Sequence, residues 1–131
     1  MQNILTGIYS AYNGNAALKA ALPGGLFFEM AKQSPTLSYA TYNMTSARPS
    51  YILDTRRFEI VSIQFDIYSA TNLLRLAAYQ ALINLYDDLR PTATGYTSVI
   101  MERQLEQLVR DGEQNEIFRA IIAYDCTYLK D

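Results

Sequence analysis

The chain has 131 residues, half of them apolar and 18% charged. That suits a single domain spanning residues 1–131, leaves no room for two of usual size, and lies far from the composition of disordered chains. A net charge of −2 and a pI near 5.1 lack the basic excess that phosphate binding requires, so stable DNA or RNA binding by the free subunit is not expected.

Residues Asn3 to Tyr12 read as a helix, because Ile4, Leu5, Ile8, Tyr9 and Tyr12 recur at helical spacing on one face. Asn13-Gly14 breaks it, and Asn15 is placed to cap a second short helix from Ala16 to Leu22, which Pro23-Gly24-Gly25 ends. Leu26 to Met30 is a short apolar strand. Gln33-Ser34-Pro35 is a turn, and Leu37 to Met44, rich in Tyr and Thr, is a second strand. Thr45 to Thr55 has no clean period and reads as a long loop between two strands, either a surface excursion or a place for function.

Arg56 to Ser69 is the clearest strand. Val61, Ile63, Phe65 and Ile67 share one face, and Ser62, Gln64, Asp66 and Tyr68 share the other. Phe58 and Ile60 sit on the second parity, which calls for cover on that face or a bulge. Ala70 to Leu89 is the longest helix, with Thr71 as candidate cap. Its apolar stripe comprises Leu74, Ala77, Ala78, Ala81, Leu82, Leu85 and Leu89, and Pro91 closes it.

Thr97 to Arg110 fits two periods. Val99, Met101, Arg103, Leu105, Gln107 and Val109 alternate as in a strand, while Leu105, Leu108 and Val109 also suit a helix. The long alternation from Ile117 to Leu129 decides it, since a strand of that length needs a partner of similar length and Asp111-Gly112 supplies a turn. The expected fold is α+β: a mostly antiparallel sheet with helices packed on one face and a long C-terminal β-hairpin.

The chemistry available is narrow. With no histidine and one cysteine, the commonest general base, the usual zinc sites and any Ser-His-Asp or Cys-His arrangement are excluded within one subunit. Cys126 reads as a small buried apolar residue. Asp87 and Asp88 read as a solvated helix end. Glu102 and Glu106 read as a wet sheet face, or as half a cation site. Gly24-Gly25 is a loop bend with no lysine to hold phosphate. Arg48, Arg56 and Arg57 form the one basic cluster, suited to an acidic partner or a phosphate. The 11 tyrosines fit either half-buried interfaces or plain strand positions. The start, Met1-Gln2-Asn3-Ile4, shows no signal peptide, and no apolar run reaches the roughly 20 residues of a membrane span. A cytoplasm-like compartment is therefore expected. An enzyme is disfavoured by missing parts. A long hairpin with unpaired edges favours self-assembly, by strand addition or ring closure.

Several features together resemble the tail completion or tail terminator proteins of long-tailed phages. They are the opening helix followed by Ala16-Ala17-Leu18-Lys19-Ala20-Ala21-Leu22, the Gly-Gly turn into Leu26-Phe27-Phe28, and the strand from Pro35 to Tyr42. Phe65-Asp66-Ile67-Tyr68-Ser69 leading into a helix with Ala77-Ala78, and the closing hairpin through Val109-Arg110-Asp111-Gly112, complete the set. The resemblance implies a homo-oligomeric, hexameric ring in the neck of a virion, assembled in the host cytoplasm. Such a ring caps the tail tube protein and docks on the head connector or stopper protein. It implies no cofactor, no metal, no catalysis and no membrane, with DNA only passing through the channel; mild acidity suits such a passage. A head-closure stopper or a tail tube subunit shares much of this pattern, and a small-ligand binding domain is the more distant alternative. The expected contact residues are Arg48, Tyr51, Asp54, Arg56 and Arg57 in and beside the 45–55 loop, and Glu102, Arg103 and Arg119 on the hairpin.

Overall fold

The strand expected over 56–69 is the spine of the molecule. The computed structural model describes residues 2–30, 36–51, 57–91, 95–111 and 117–130. In chain order its elements are α1 (Gln2–Asn13), α2 (Ala16–Ala21), β1 (Leu26–Phe28), β2 (Tyr39–Tyr51), β3 (Arg57–Ser69), α3 (Asn72–Tyr86), β4 (Tyr96–Asp111) and β5 (Ile117–Lys130). The strands form one sheet in the order β1-β2-β3-β5-β4, with β1 parallel to β2 and every other pair antiparallel. The fold is α+β, and the three helices pack on one face of the sheet.

The period-2 pattern explains that choice of face. Val61, Ile63, Phe65 and Ile67 of β3 are fully buried, as are Ala120, Ile122, Tyr124, Cys126 and Tyr128 of β5. Ile4, Ile8 and Tyr12 of α1, Leu18 of α2, and Ala78, Leu82 and Tyr86 of α3 meet them in one core. Burying this apolar surface is the main favourable term in folding. An aromatic chain ties the layers. Phe28 lies 5.5 Å from Tyr42, Tyr42 lies 6.1 Å from Phe65, and Phe65 lies 4.7 Å from Tyr86 between ring centroids. The Tyr86 hydroxyl then donates to the Ile8 carbonyl of α1 at 2.8 Å.

Local signals set the helix starts. The Asn15 side chain accepts from the Leu18 N–H at 2.8 Å, and Thr71 accepts from the Leu74 N–H at 3.2 Å, each satisfying an orphan donor of the first turn. Gly24 is required by crowding: a Cβ there would stand 1.7 Å from the Thr36 carbonyl oxygen.

Four expectations need correction. First, the loop expected from Thr45 to Thr55 is strand through Tyr51, paired residue by residue with β3 from Ser46↔Ser62 to Tyr51↔Arg57; residues 52–55 lie outside the described set. A bulge at Thr45 between Met44 and Ser46 hid it, because one extra residue inverts the period of everything after it. Second, β3 itself is unbroken against β5, so the parity change at Phe58 and Ile60 is not a bulge in that strand. Third, α3 runs only from Asn72 to Tyr86. Its buried side is Arg75, Ala78, Leu82 and Tyr86, with Leu74 and Ala77 exposed. Fourth, β4 carries two register shifts, at Val99 and Gln104. They place Met101 and Arg103 on the helix-covered face, and Leu105, Gln107 and Val109 on the other.

Candidate assembly surfaces

The second face of the sheet has no helix over it among the described residues, and its side chains cover one another. Across β1, β2, β3 and β5 runs a second aromatic row. Phe27 is 6.4 Å from Tyr39, Tyr39 stacks on Tyr68 at 5.0 Å, and the Arg119 guanidinium lies 5.5 Å from the Tyr68 centroid. Arg119 also pairs with Asp66 at 3.0 Å, Gln64 donates to both Asp66 oxygens at 3.3 and 3.2 Å, and Ser62 donates to Asp125 at 2.7 Å. The row combines cation–π attraction with a part-shielded ion pair. The tyrosines therefore divide between core and sheet surface, which the composition alone leaves open.

The sheet's two lateral edges are its other candidate surfaces. β4 has no strand on its outer side among the described residues, yet its edge is broken up. The bulges at Val99 and Gln104 interrupt it. The Asp88 N–H bonds the Met101 carbonyl at 3.2 Å, and the Met101 N–H bonds the Leu89 carbonyl at 2.9 Å. The Arg75 guanidinium takes the Val109 carbonyl at 3.0 Å and the Arg119 carbonyl at 3.4 Å. The β2 edge is covered by β1 over Ala40 to Tyr42 and by the Glu29 N–H on the Tyr42 carbonyl at 2.8 Å. Beyond that it carries the Thr45 bulge and Pro49, which has no N–H. These are the devices by which proteins discourage edge-to-edge strand addition. The backbone edges expected to drive assembly are thus interrupted, and the side chains beside them are further candidates for contact.

The expected contact residues fall in several places. Arg48 pairs in register with Ile60, and Tyr51 with Arg57, all at the end of the sheet nearest residues 52–56. Asp54 and Arg56 lie outside the described residues. Glu102 lies exposed on β4, opposite Asp125 on the uncovered face. Arg103 lies on the other face, held by Asp87 at 3.4 Å, Glu106 at 3.5 Å and the Tyr79 hydroxyl at 3.1 Å. Arg119 is committed to Asp66 and Tyr68. The two hairpins end at opposite ends of the sheet. β2–β3 turns beyond Tyr51 and Arg57, next to Leu129, whereas β4–β5 turns beyond Asp111 and Ile117, next to Ser69. The expected residues therefore do not form one patch.

Two carboxylate readings also change. Glu102 and Glu106 lie on opposite faces because of the Gln104 bulge, so they cannot share a cation. Asp87 is no merely solvated helix end. It accepts from the Tyr124 hydroxyl at 2.6 Å and pairs with Arg103, a network without a sequence signal because the bulge brings Arg103 to that face. Burial and the adjacent Asp87 carboxylate push the Tyr124 phenol well above its usual range. Cys126 is buried as expected, and desolvation, then the Asp125 charge, pushes its thiol up to about 12. Among the described residues no group of three or more His, Cys, Asp or Glu side chains is placed to hold a metal. No helix among them is long and apolar enough to cross a membrane. The described cavity is a groove of about 520 Å³ between α1 and the β1–β2 edge, lined by Leu5, Thr6, Tyr9, Phe28 and Tyr42.

No family model matches the chain, and no curated protein matches it. Solved structures do. A chain of the virion of a native gene transfer agent (GTA) particle superposes over 98% of this chain and 96% of its own, with a TM-score of 0.77 at 11% identity. A second solved chain superposes over 93% of this one and 94% of its own, with a TM-score of 0.50 at 14% identity. At such identities the likeness is one of fold. The first superposition runs over nearly the whole of both chains rather than over a fragment.

Proposed function

We propose that this chain is a structural subunit of a phage-like virion. In this reading one tail-terminator-like domain over residues 1–131 forms a ring, six copies round, at the head–tail interface, capping the tail tube and joining it to the head connector. The observation that carries the reading is the end-to-end superposition on a chain of the gene transfer agent virion. The resemblance of the sequence to tail terminator proteins supports the same class from an independent direction. The described polar groups support it too. They hold one another in sheet-surface and helix-end networks.

In this reading Arg48, Tyr51, Asp54, Arg56 and Arg57 serve contacts at one end of the sheet, towards one stacked neighbour. The tip of the β4–β5 hairpin serves the opposite neighbour. Arg103 and Arg119 act indirectly, by fixing the faces that Glu102 and the aromatic row present. The subunit needs no cofactor, and DNA is a passenger rather than a ligand, as the mild acidity suggests.

The test is the position and stoichiometry of the chain in an intact particle, read by electron cryomicroscopy. Density for six copies at the head–tail junction is the expected result. Density along the tail shaft would make it a tube subunit, and density plugging the head would make it a stopper. Presence in the cell only as a soluble monomer would sink the structural reading altogether.

A further inference from the structure

The two lateral edges differ in shape. One carries the groove of about 520 Å³, flanked by Tyr9 and Phe28, each 44% exposed, and by Met30, 80% exposed. The other carries apolar knobs: Leu108 of β4, 51% exposed, with Leu76 of α3, 40% exposed. The bond from Arg103 to the Tyr79 hydroxyl identifies the flank of α3 that faces β4. Leu76 stands one turn before Tyr79 on that flank.

The register sets the relative heights of these features. Leu108 lies opposite Ala120, Ala120 opposite Ile67, Ile67 opposite Ala40, and Ala40 opposite Leu26. Leu26 is two residues from Phe28, on the same strand. Leu108 and Phe28 both belong to the parity that faces the helices. Knob and groove therefore occupy nearly the same level along the strands, on the same side of the sheet and at its opposite edges. For an axis along the strands, a heterologous contact with little offset closes into a ring when its rotation closes, whereas an offset contact winds into a filament.

We propose that the groove between α1 and the β1–β2 edge receives Leu108, with Leu76, of a second copy of this chain, so that copies join side to side, head to tail. Bulges, a proline and capping hydrogen bonds interrupt backbone pairing along β4 and β2, which favours side-chain docking as the lateral contact. None of the five groove-lining residues is charged, so seating leucines there strands no ion. The proposal rests on the ring reading above, and names the surfaces that would close the ring.

The test uses the full chain carrying Phe28→Cys and Leu108→Cys together, beside each single variant; Cys126 is buried and does not compete. Both positions are exposed, and circular dichroism checks that the fold is kept. Under mild oxidation the double variant should give a covalent ladder ending in a closed species. Each single variant should stop at a small yield of dimer, at least tenfold lower in cross-linked mass. Native mass spectrometry of the unmodified chain over a wide concentration range separates the two claims. Oligomers without a ladder overturn these surfaces and leave the ring standing. Neither oligomers nor a ladder at any concentration overturns both.

Discussion

The two faces of the sheet are built from the same strands, and they teach different things. On the covered face, Phe65, Tyr86 and Tyr124 form a buried cluster in which every aromatic ring touches another and the Tyr86 and Tyr124 hydroxyls each have a partner. On the uncovered face, Tyr39, Tyr68, Arg119 and Asp66 form a row of comparable order that stays within reach of water. The first arrangement gives its stability by excluding solvent. The second gives little stability and keeps a shaped, mixed-polarity surface in place. Identical backbone geometry thus serves as core on one side and as presentation on the other, and only the parity of each residue decides which.

That contrast can be broken most directly in the core. Phe65→Ala should cost about 3–5 kcal/mol, since it opens a cavity beneath three aromatic neighbours. Chemical denaturation should show the midpoint falling with little change in slope. Next in size is Gly24→Ala, where the added methyl meets a backbone carbonyl that cannot swing away. A loss on the order of 2–3 kcal/mol is expected by thermal melting. Tyr86→Phe should cost about 1 kcal/mol by removing one buried hydrogen bond, without opening a void. On the uncovered face, Arg119→Ala should cost about 1 kcal/mol, because the guanidinium is part-exposed and screened and the buried Asp66 carboxylate it leaves keeps the Gln64 amide. A loss on that face equal to that of Phe65→Ala would erase the distinction between the two faces.

Alkaline titration sharpens the same comparison. Desolvation raises the phenols of Tyr86, Tyr124 and Tyr128 above their ordinary value of 10.0. The folded state therefore holds these protons more tightly than the unfolded chain does. Their contribution is fully present below about pH 10 and is lost progressively as pH rises above it. The melting temperature should be flat through neutral pH and fall steeply beyond about pH 10. Insensitivity there would mean that these hydroxyls are wetter than their packing indicates.

Much of this architecture was legible because period-2 alternation is strong where a strand is buried on one side. The Val61–Ile67 and Phe118–Tyr128 alternations located β3 and β5 to within a residue or two, and Asn15 and Thr71 announced their helices through cap chemistry. In the strands, the misreadings of β2 and β4 fall at bulges. A single unpaired residue at Thr45 made half of β2 look aperiodic, and the bulges at Val99 and Gln104 scrambled the face assignment of β4. Bulges are written in pairing geometry rather than in composition, so no local pattern announced them. Arg75 was missed for a related reason. A charged residue on a buried helix flank is legible only once the carbonyls it serves, Val109 and Arg119, are known to converge there. The expected contact residues separate in space because Arg48, Tyr51 and Arg57 lie at one end of the sheet, Glu102 and Arg103 lie mid-strand on opposite faces, and Arg119 lies towards the other end.

The paired irregularities of β4 have a consequence for how the chain tolerates change in length. Each one inverts the alternation, and the second undoes the first, so that evens face the helices before Val99, odds between Val99 and Gln104, and evens again afterwards. Loss of the codon for Val99 or for Gln104 would join residues whose partners on β5 are already consecutive, so Arg103 would stay beside Asp87 and Leu108 on the helix side. Loss of both would leave each face with its own residues and straighten the strand into a flat template. Shortening at these two places should therefore spare the fold and tell on the border alone, and a lineage that lost both would trade a guarded border for one open to runaway stacking.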